Sequence, residues 1–179
     1  MKIAVFCSAN ENLDSDFFTL TTQLGQWMAR EGHTLVFGGT DMGLMECIAR
    51  AVHDGGGRVI GVVPTMVEKR GRTSKLNDVE IPCDNLSDRK ALMELQADLF
   101  VALPGGIGTL DEVFTVAAGA TIGYHHKLVV VYNMKGFWNP LIALLDHLQA
   151  QGLIRGQWRD RILVANNLDD IARVVHKGK

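Results

Sequence analysis

Apolar residues along this chain fall into two alternating patterns. Short continuous runs rich in Val, Ile, Leu and Phe occur at Ile3–Phe6, Thr34–Phe37, Val59–Val63, Val79–Ile81, Leu99–Leu103, Leu128–Tyr132 and Ile162–Val164. Between them, apolar positions recur at helical spacing. Phe17, Leu20, Leu24, Trp27 and Met28 mark one helix, and Leu44, Met45, Ile48 and Val52 a second. Ser87 is expected to begin a helix carrying Leu92 and Leu95, and another starts at about Thr109. Leu141, Leu144, Leu145 and Leu148 form an i, i+3, i+4, i+7 stripe, and a last helix starts at Leu168. Continuous apolar runs suit strands buried on both faces. Strand–helix alternation therefore predicts an α/β fold, a Rossmann-like open parallel sheet with helices on both faces. Gly32 is expected just past the first helix. The segment Thr65 to Asn77 has neither period, is polar and basic, and reads as a loop or lid.

The length of 179 residues, without an internal repeat or linker, suits one compact domain over 1–179. Eighteen Lys and Arg against 20 Asp and Glu leave a net charge of −2. No global positive field exists to hold nucleic acid or an anionic membrane, so neither is expected as a partner. No apolar run reaches the roughly 18 residues that a membrane span needs. The apolar stretch after Met1 is too short for a secretory signal, and the expected address is cytoplasmic. Cys7, Cys47 and Cys83 are odd in number, far apart and without a CxxC. They suggest neither a disulfide framework nor zinc.

Glycine concentrates at two strand-to-helix turns, Gly38-Gly39-Thr40-Asp41-Met42-Gly43 and Pro104-Gly105-Gly106-Ile107-Gly108-Thr109. Both follow carboxyl ends of expected strands, where open parallel sheets bind ligands. Glycine admits a ligand close to the backbone, and the helix N-terminus offers free N–H groups and partial positive charge. One such turn is weak evidence of anything beyond a tight bend. Two make a phosphate site the better interpretation, with Gly39 and Gly43 in it. Ser8, after the first strand, is a further candidate to cap a helix or meet phosphate. No GK[ST] follows either turn, so neither is a Walker loop. Asp111 stands where the third glycine of GxGxxG belongs, and the next strand ends in Asn133 rather than an acid. Classical dinucleotide binding is therefore not expected.

Asp111 and Glu112 are expected in the first turn after the second loop. There they could serve only the helix dipole. Beside a phosphate loop, though, a carboxylate implies work on a sugar or a water. Arg89 and Lys90 are expected in a helix's first turn, the unfavourable end for cations, and either pair locally with Asp88 or face an anionic ligand. His125-His126 reads as an exposed turn, since no spaced carboxylate or cysteine accompanies it, and no metal site is expected. Met42, Met45 and Met93 read as core filler.

The nine residues Pro104-Gly105-Gly106-Ile107-Gly108-Thr109-Leu110-Asp111-Glu112 resemble the PGGxGTxxE motif of the LONELY GUY (LOG) family. Those are cytokinin riboside 5′-monophosphate phosphoribohydrolases, often labelled lysine decarboxylases. Gly38-Gly39 with Gly43-Leu44-Met45 is similar to the family's GGxxxGLM, and Arg89-Lys90-Ala91 with Met93 to its RKAxM helix. The similarity runs from about Val5 to Leu153. The resemblance implies that Glu112 and Arg89 are catalytic and that Gly105, Gly106, Gly108 and Thr109 bind a 5′-phosphate. It also implies that Lys90 and Met93 lie near the nucleotide, and that the protein is a homodimer or higher homo-oligomer with sites near the interface. Where the family has Thr-Trp-x-Gln-Leu-Gly, this chain has Ala118-Gly119-Ala120-Thr121-Ile122-Gly123, which changes the pocket or the dimer contact.

The expected activity is hydrolysis of the N-glycosidic bond of a purine nucleoside 5′-monophosphate such as AMP, N6-modified cytokinin types included. No cofactor is needed. The alternative is a non-catalytic carrier of a nucleotide or of a molybdenum-cofactor-like ligand.

Overall fold

In the computed structural model, residues 1–177 are described. Seven strands form one parallel sheet in the order β4-β3-β2-β1-β5-β6-β7. They are β1 (Lys2–Phe6), β2 (Thr34–Phe37), β3 (Val59–Pro64), β4 (Val79–Cys83), β5 (Leu99–Ala102), β6 (Val129–Tyr132) and β7 (Ile162–Ala165). The central strand β1 pairs with β2 on one side (Ile3 beside Leu35) and with β5 on the other (Ile3 beside Leu99). Chain order thus reverses at β1, and the gap between β1 and β5 is where such sheets take ligands.

Because side chains alternate across a strand, each strand feeds two cores. Ile3, Val5, Leu35, Phe37, Leu99 and Val101 face one side. There they meet α1 (Ser15–Arg30), α2 (Gly43–Asp54) and α7 (Leu168–Lys177) through Leu24, Ile48 and Ile171. Ala4, Phe6, Val36 and Phe100 face the other side. They pack on α4 (Leu86–Gln96), α5 (Ile107–Thr121) and α6 (Asn139–Ala150) through Met93, Val113 and Leu145. Double burial is why the strands are apolar without alternation.

Several local expectations need correction. The segment from Thr65 is not all loop: α3 covers Thr65–Lys69, begun by Pro64 in an extended conformation. The rest is strapped onto the first glycine turn. Asp41 N–H donates to the Arg72 carbonyl (2.9 Å), Ser74 N–H to the Gly39 carbonyl (2.8 Å), and Thr40 bridges Thr73. Ser74 Oγ donates to Glu46 Oε2 of α2 at 2.7 Å. Helix α4 starts at Leu86, capped by Asn85, whose side chain accepts from Ser87 and Asp88 N–H. Arg89 therefore stands just past its first turn, where the N-terminal partial charge has begun to fade. Helix α5 starts at Ile107, so Asp111 and Glu112 lie in its second turn, and no acid occupies its first. His125 is not exposed: its side chain is 9% accessible, with Nε2 3.6 Å from Glu94 Oε1.

Candidate active site

The carboxyl ends of β1, β2 and β5 enclose a cavity of about 250 Å³, lined by Cys7, Ser8, Ala9, Asn10, Met45, Arg89, Gly106, Gly108, Thr109 and Glu112. Other cavities are of similar or larger size, among them one between α1 and α2 around Cys47 and Arg50 and an apolar groove between Phe114 and Trp158. Chemistry rather than size distinguishes the first, since it alone joins a guanidinium, a buried carboxyl and glycines with open space above them.

Ser8 ties the cavity together through its backbone. Its N–H donates to the Pro104 carbonyl (3.1 Å), and its carbonyl accepts from Leu44 N–H at the start of α2 (3.0 Å). Ser8 Oγ accepts from Asn10 N–H at 3.1 Å, which bends the chain back over the site. In the second glycine turn, a side chain at Gly105 would overlap Thr109 Oγ1, so Thr109 is wedged against the turn and buried. At Gly106 and Gly108 an added Cβ would meet nothing within 4 Å. Gly106 is the N-cap of α5 and supplies no capping side chain. The N–H groups of a first helical turn have no partners within the helix, so this end suits an anion.

Arg89 reaches from α4 to α5 and donates from Nη2 to Glu112 Oε1 at 2.9 Å. Their side chains are 14% and 4% accessible, so the pair is largely withdrawn from water. Gly38 makes room for it: a Cβ there would stand 3.3 Å from Arg89 Nη1. Burial pushes the Glu112 carboxyl up to about 7, overcoming the opposing pull of Arg89, and the neighbouring charge of Asp111 adds to the rise. Near neutral pH the group therefore stands between acid and carboxylate, the condition that general acid–base chemistry favours. Cys7 is buried beside it, and burial and the Glu112 charge hold its thiol well above the usual range. It is a neutral wall rather than a nucleophile.

The cavity thus gathers Ser8, Arg89, Gly106, Gly108, Thr109 and Glu112 from the sequence candidates. Gly105 sits behind it under Thr109. Gly39 and Gly43 support it from outside: added Cβ atoms would stand 2.5 Å from Val63 Cγ2 and from the Ala9 carbonyl carbon. Met93 is 1% accessible and packs in the core with Phe6 and Phe100. Lys90 points along α5, with Nζ 2.7 and 2.8 Å from the two Asp111 carboxylate oxygens. Sequence reasoning passed over Cys7, Ala9 and Asn10 as site residues and assigned Met45 to the core, whereas all four line the cavity. Their position directly after β1 and at the start of α2, on the ligand-binding edge, was the available signal. Asn133, which takes the place of a ribose-binding acid, is structural: its Oδ1 accepts from Trp138 N–H at 2.7 Å. Among the described residues, no group of three or more His, Cys, Asp or Glu is placed to hold a metal. No described helix is long and apolar enough to cross a membrane.

The protein family described as "Possible lysine decarboxylase" matches residues 45–175. "Probable cytokinin riboside 5′-monophosphate phosphoribohydrolase LOGL1" of Oryza sativa subsp. japonica is 37% identical over 173 residues, 96% of this chain and 77% of its own length. "Cytokinin riboside 5′-monophosphate phosphoribohydrolase LOG7" of Arabidopsis thaliana is 36% identical over 173 residues, 96% of this chain and 79% of its own. Among solved structures, the molybdenum cofactor carrier protein of Chlamydomonas reinhardtii superimposes with a TM-score of 0.75 at 23% identity, covering 99% of this chain and 96% of that one. The molybdenum cofactor binding protein of Rippkaea orientalis gives 0.72 at 21%, over 98% and 95%. These two share the fold, whereas the plant enzymes share sequence across nearly the whole chain. With its PGGxGTxxE turn intact and its Arg89–Glu112 pair formed at that turn, the chain belongs to the LOG family of phosphoribohydrolases.

Proposed function

We propose that this protein hydrolyses the N-glycosidic bond of purine nucleoside 5′-monophosphates, AMP among them, to the free base and ribose 5-phosphate. The observation that carries this is the largely buried Arg89–Glu112 pair beside a glycine turn with open space above Gly106 and Gly108. The 5′-phosphate lies over Gly106, Gly108 and Thr109 at the N-terminus of α5. The ribose lies toward Glu112. As the bond from C1′ to the base nitrogen breaks, positive charge grows on the sugar, and the Glu112 carboxylate stabilises it. The same carboxylate takes a proton from the water that attacks C1′, and the departing base nitrogen is reprotonated from solvent. Arg89 orients Glu112 and adds a guanidinium to the phosphate side. The three free cysteines fit a reducing compartment, the cytoplasm.

A carrier function needs no carboxylate poised near neutrality beside the sugar, so Glu112 favours the enzyme. Incubating the protein with AMP, adenosine and isopentenyl-AMP and measuring free base tests this directly. AMP is expected to turn over at least about tenfold better than adenosine, the worth of one good charge-assisted contact. Equal turnover would contradict a phosphate-anchored site, and binding without release in all three would favour a carrier.

The working unit is proposed to be a homodimer. At about 250 Å³ the cavity is smaller than the roughly 300–1,000 Å³ of sites that enclose a whole small ligand. An apolar strip runs from its mouth along α5, with Ile107 88%, Phe114 40% and Ile122 64% accessible. Sedimentation of the wild type is expected to give twice the chain mass, and Phe114→Asp to give the monomer.

A further inference from the structure

The segment that follows β6 passes from one core to the other. Met134 is buried with Val5 and Leu24 on one side of the sheet, and Trp138 with Phe6 and Phe100 on the other. On the way it is tied to two strands that border the cavity. The Trp138 indole N–H donates to the Ala102 carbonyl of β5 at 3.3 Å, just ahead of the Pro104–Thr109 turn. Lys135 Nζ donates at 2.7 Å to Asp14 Oδ2 and at 2.7 Å to Asp16 Oδ2, at the start of α1. Phe137 meets Phe17 edge to face at 5.7 Å. Asp14 divides its carboxylate between two tasks: Oδ1 accepts the Asp16 N–H and caps α1, while Oδ2 takes Lys135. Asp14 follows Asn10, a cavity residue, by four positions. The hydrogen bonds of the loop between them are local, from Asn10 N–H to Ser8 Oγ and from Leu13 N–H to the Glu11 carbonyl. Lys135 stands at φ 52°, the one non-glycine residue of positive φ among the described residues. That region is disfavoured for any side chain, and glycine would occupy it more easily. Such a backbone persists where surrounding contacts hold it.

We propose that Lys135 is a positioning residue: by clasping Asp14 and Asp16 it holds the β1–α1 loop, and with it the Ser8–Asn10 wall of the cavity, at the spacing from the Pro104–Thr109 turn that admits a nucleoside monophosphate. This rests on the reading of the cavity as the nucleotide site. Lys135 is not among the residues that line it. Its action is mechanical. Trp138 fastens the segment to β5, the strand that carries the open glycine turn, and Lys135 fastens the loop after β1 to that same segment. The ion pairs are exposed, with side chains 42–59% accessible, so each contributes little to overall stability. A short loop with only local hydrogen bonds of its own needs little to hold it. Affinity then follows the fraction of molecules in which the wall is in place.

The test compares the wild type with Lys135→Gly, Lys135→Arg and the double variant Asp14→Asn/Asp16→Asn. Glycine keeps the left-handed backbone and removes the clasp, arginine keeps the charge, and asparagine at position 14 still caps α1. Deuterium exchange of the Ser8–Leu13 amides, AMP affinity by calorimetry, and KM and kcat for base release are measured on the same preparations. In Lys135→Gly the loop amides are expected to exchange about fivefold faster, the worth of two exposed ion pairs. The AMP Kd and KM rise about threefold and kcat holds within about twofold. Tm stays within about 3 °C, because relief of the backbone offsets the freedom that glycine gains in the unfolded chain. Saturating AMP removes the difference in exchange. The double variant behaves like Lys135→Gly, combining the two adds nothing further, and Lys135→Arg matches the wild type. Unchanged exchange in Lys135→Gly overturns the proposal. Faster exchange with unchanged AMP affinity overturns it too, because the clasp then serves only the loop. A raised Kd without faster exchange means that Lys135 touches the nucleotide itself, and likewise overturns it. The exchange measurement reads the loop without turnover. Failure of the wild type to release base therefore sinks the hydrolase assignment separately from the clasp.

Discussion

The two glycine turns look alike in sequence and do different work. In Gly38–Gly43, glycine is there for the protein itself. Gly39 and Gly43 adopt φ of 74° and 54°, a backbone region that side chains disfavour. Each is also pressed against neighbours, and the strap from Arg72 to Ser74 closes the turn's outer side. The start of α2 is met by the Ser8 carbonyl, so the protein satisfies it from within. In Pro104–Thr109 the reverse holds. Gly106 has no positive φ and no neighbour to avoid, yet its missing side chain leaves the cavity floor bare. A glycine forced by conformation marks scaffolding. A glycine that conformation does not require, bordering a cavity, marks room kept for a ligand.

Substitutions can break or sharpen this contrast. The largest effect is expected from Glu112→Gln, on the helix after the open turn. Base release should fall about 10²- to 10⁴-fold, the usual worth of a general base, while AMP affinity changes little. Wild-type activity should rise as Glu112 loses its proton through about pH 7 and level off above it. Burial raises this carboxyl in the folded state from 4.5 to about 7, so folding holds its proton more tightly. Its contribution to stability is greatest at low pH and declines between those values. The Tm difference should accordingly shift in favour of the Gln variant as pH rises from about 4.5 to about 7, measured by calorimetry in a pH series. A rate within a few-fold of wild type would reduce Glu112 to a structural acid.

Next comes Gly43→Ala, in the closed turn. Left-handed backbone costs about 1–2 kcal/mol, and pressing a methyl into the Ala9–Asn10 backbone about 1–3 more. At this chain length a fall in Tm on the order of 10 °C is expected. Retained Tm with lost AMP binding would instead make this turn a ligand site. The smallest effect is expected from Gly106→Ala. Tm should be unchanged, while the AMP Kd rises about tenfold, or about 1.4 kcal/mol, because the methyl stands in the phosphate's place. Unchanged affinity in calorimetry would remove the open turn from the site.

The strand and helix sequence was legible because each element carries its own period, and seven strands occur where apolar runs predict them. Helix starts were less legible. The glycines around Ile107 hide the beginning of α5, since a helix that opens with Gly108 in its first turn looks like a loop by propensity. That shifted Glu112 by a turn in the sequence expectation and made the helix dipole a rival explanation that the structure removes. The strap was illegible for another reason. Beside the Thr40 hydroxyl, which donates to the Arg72 carbonyl, and the Arg72–Asp41 ion pair, its contacts with Gly39–Asp41 are backbone bridges across more than thirty residues, and backbone hydrogen bonds leave no local mark in side-chain chemistry. Asn10 and Cys7 were missed likewise, because only strand order reveals that the end of β1 lies beside the end of β5.

That reversal of strand order at β1 bears on how such a protein diversifies. Every residue around the cavity comes from the loops and helix starts at one edge of the sheet. The packing that holds the sheet together lies below that edge, in the two layers on either face. Inheritance can thus keep the chassis and exchange the tool. A lineage that altered only the turn after β5 and the few residues following β1 could change its chemistry without refolding. The molybdenum cofactor proteins at 21–23% identity share this chassis.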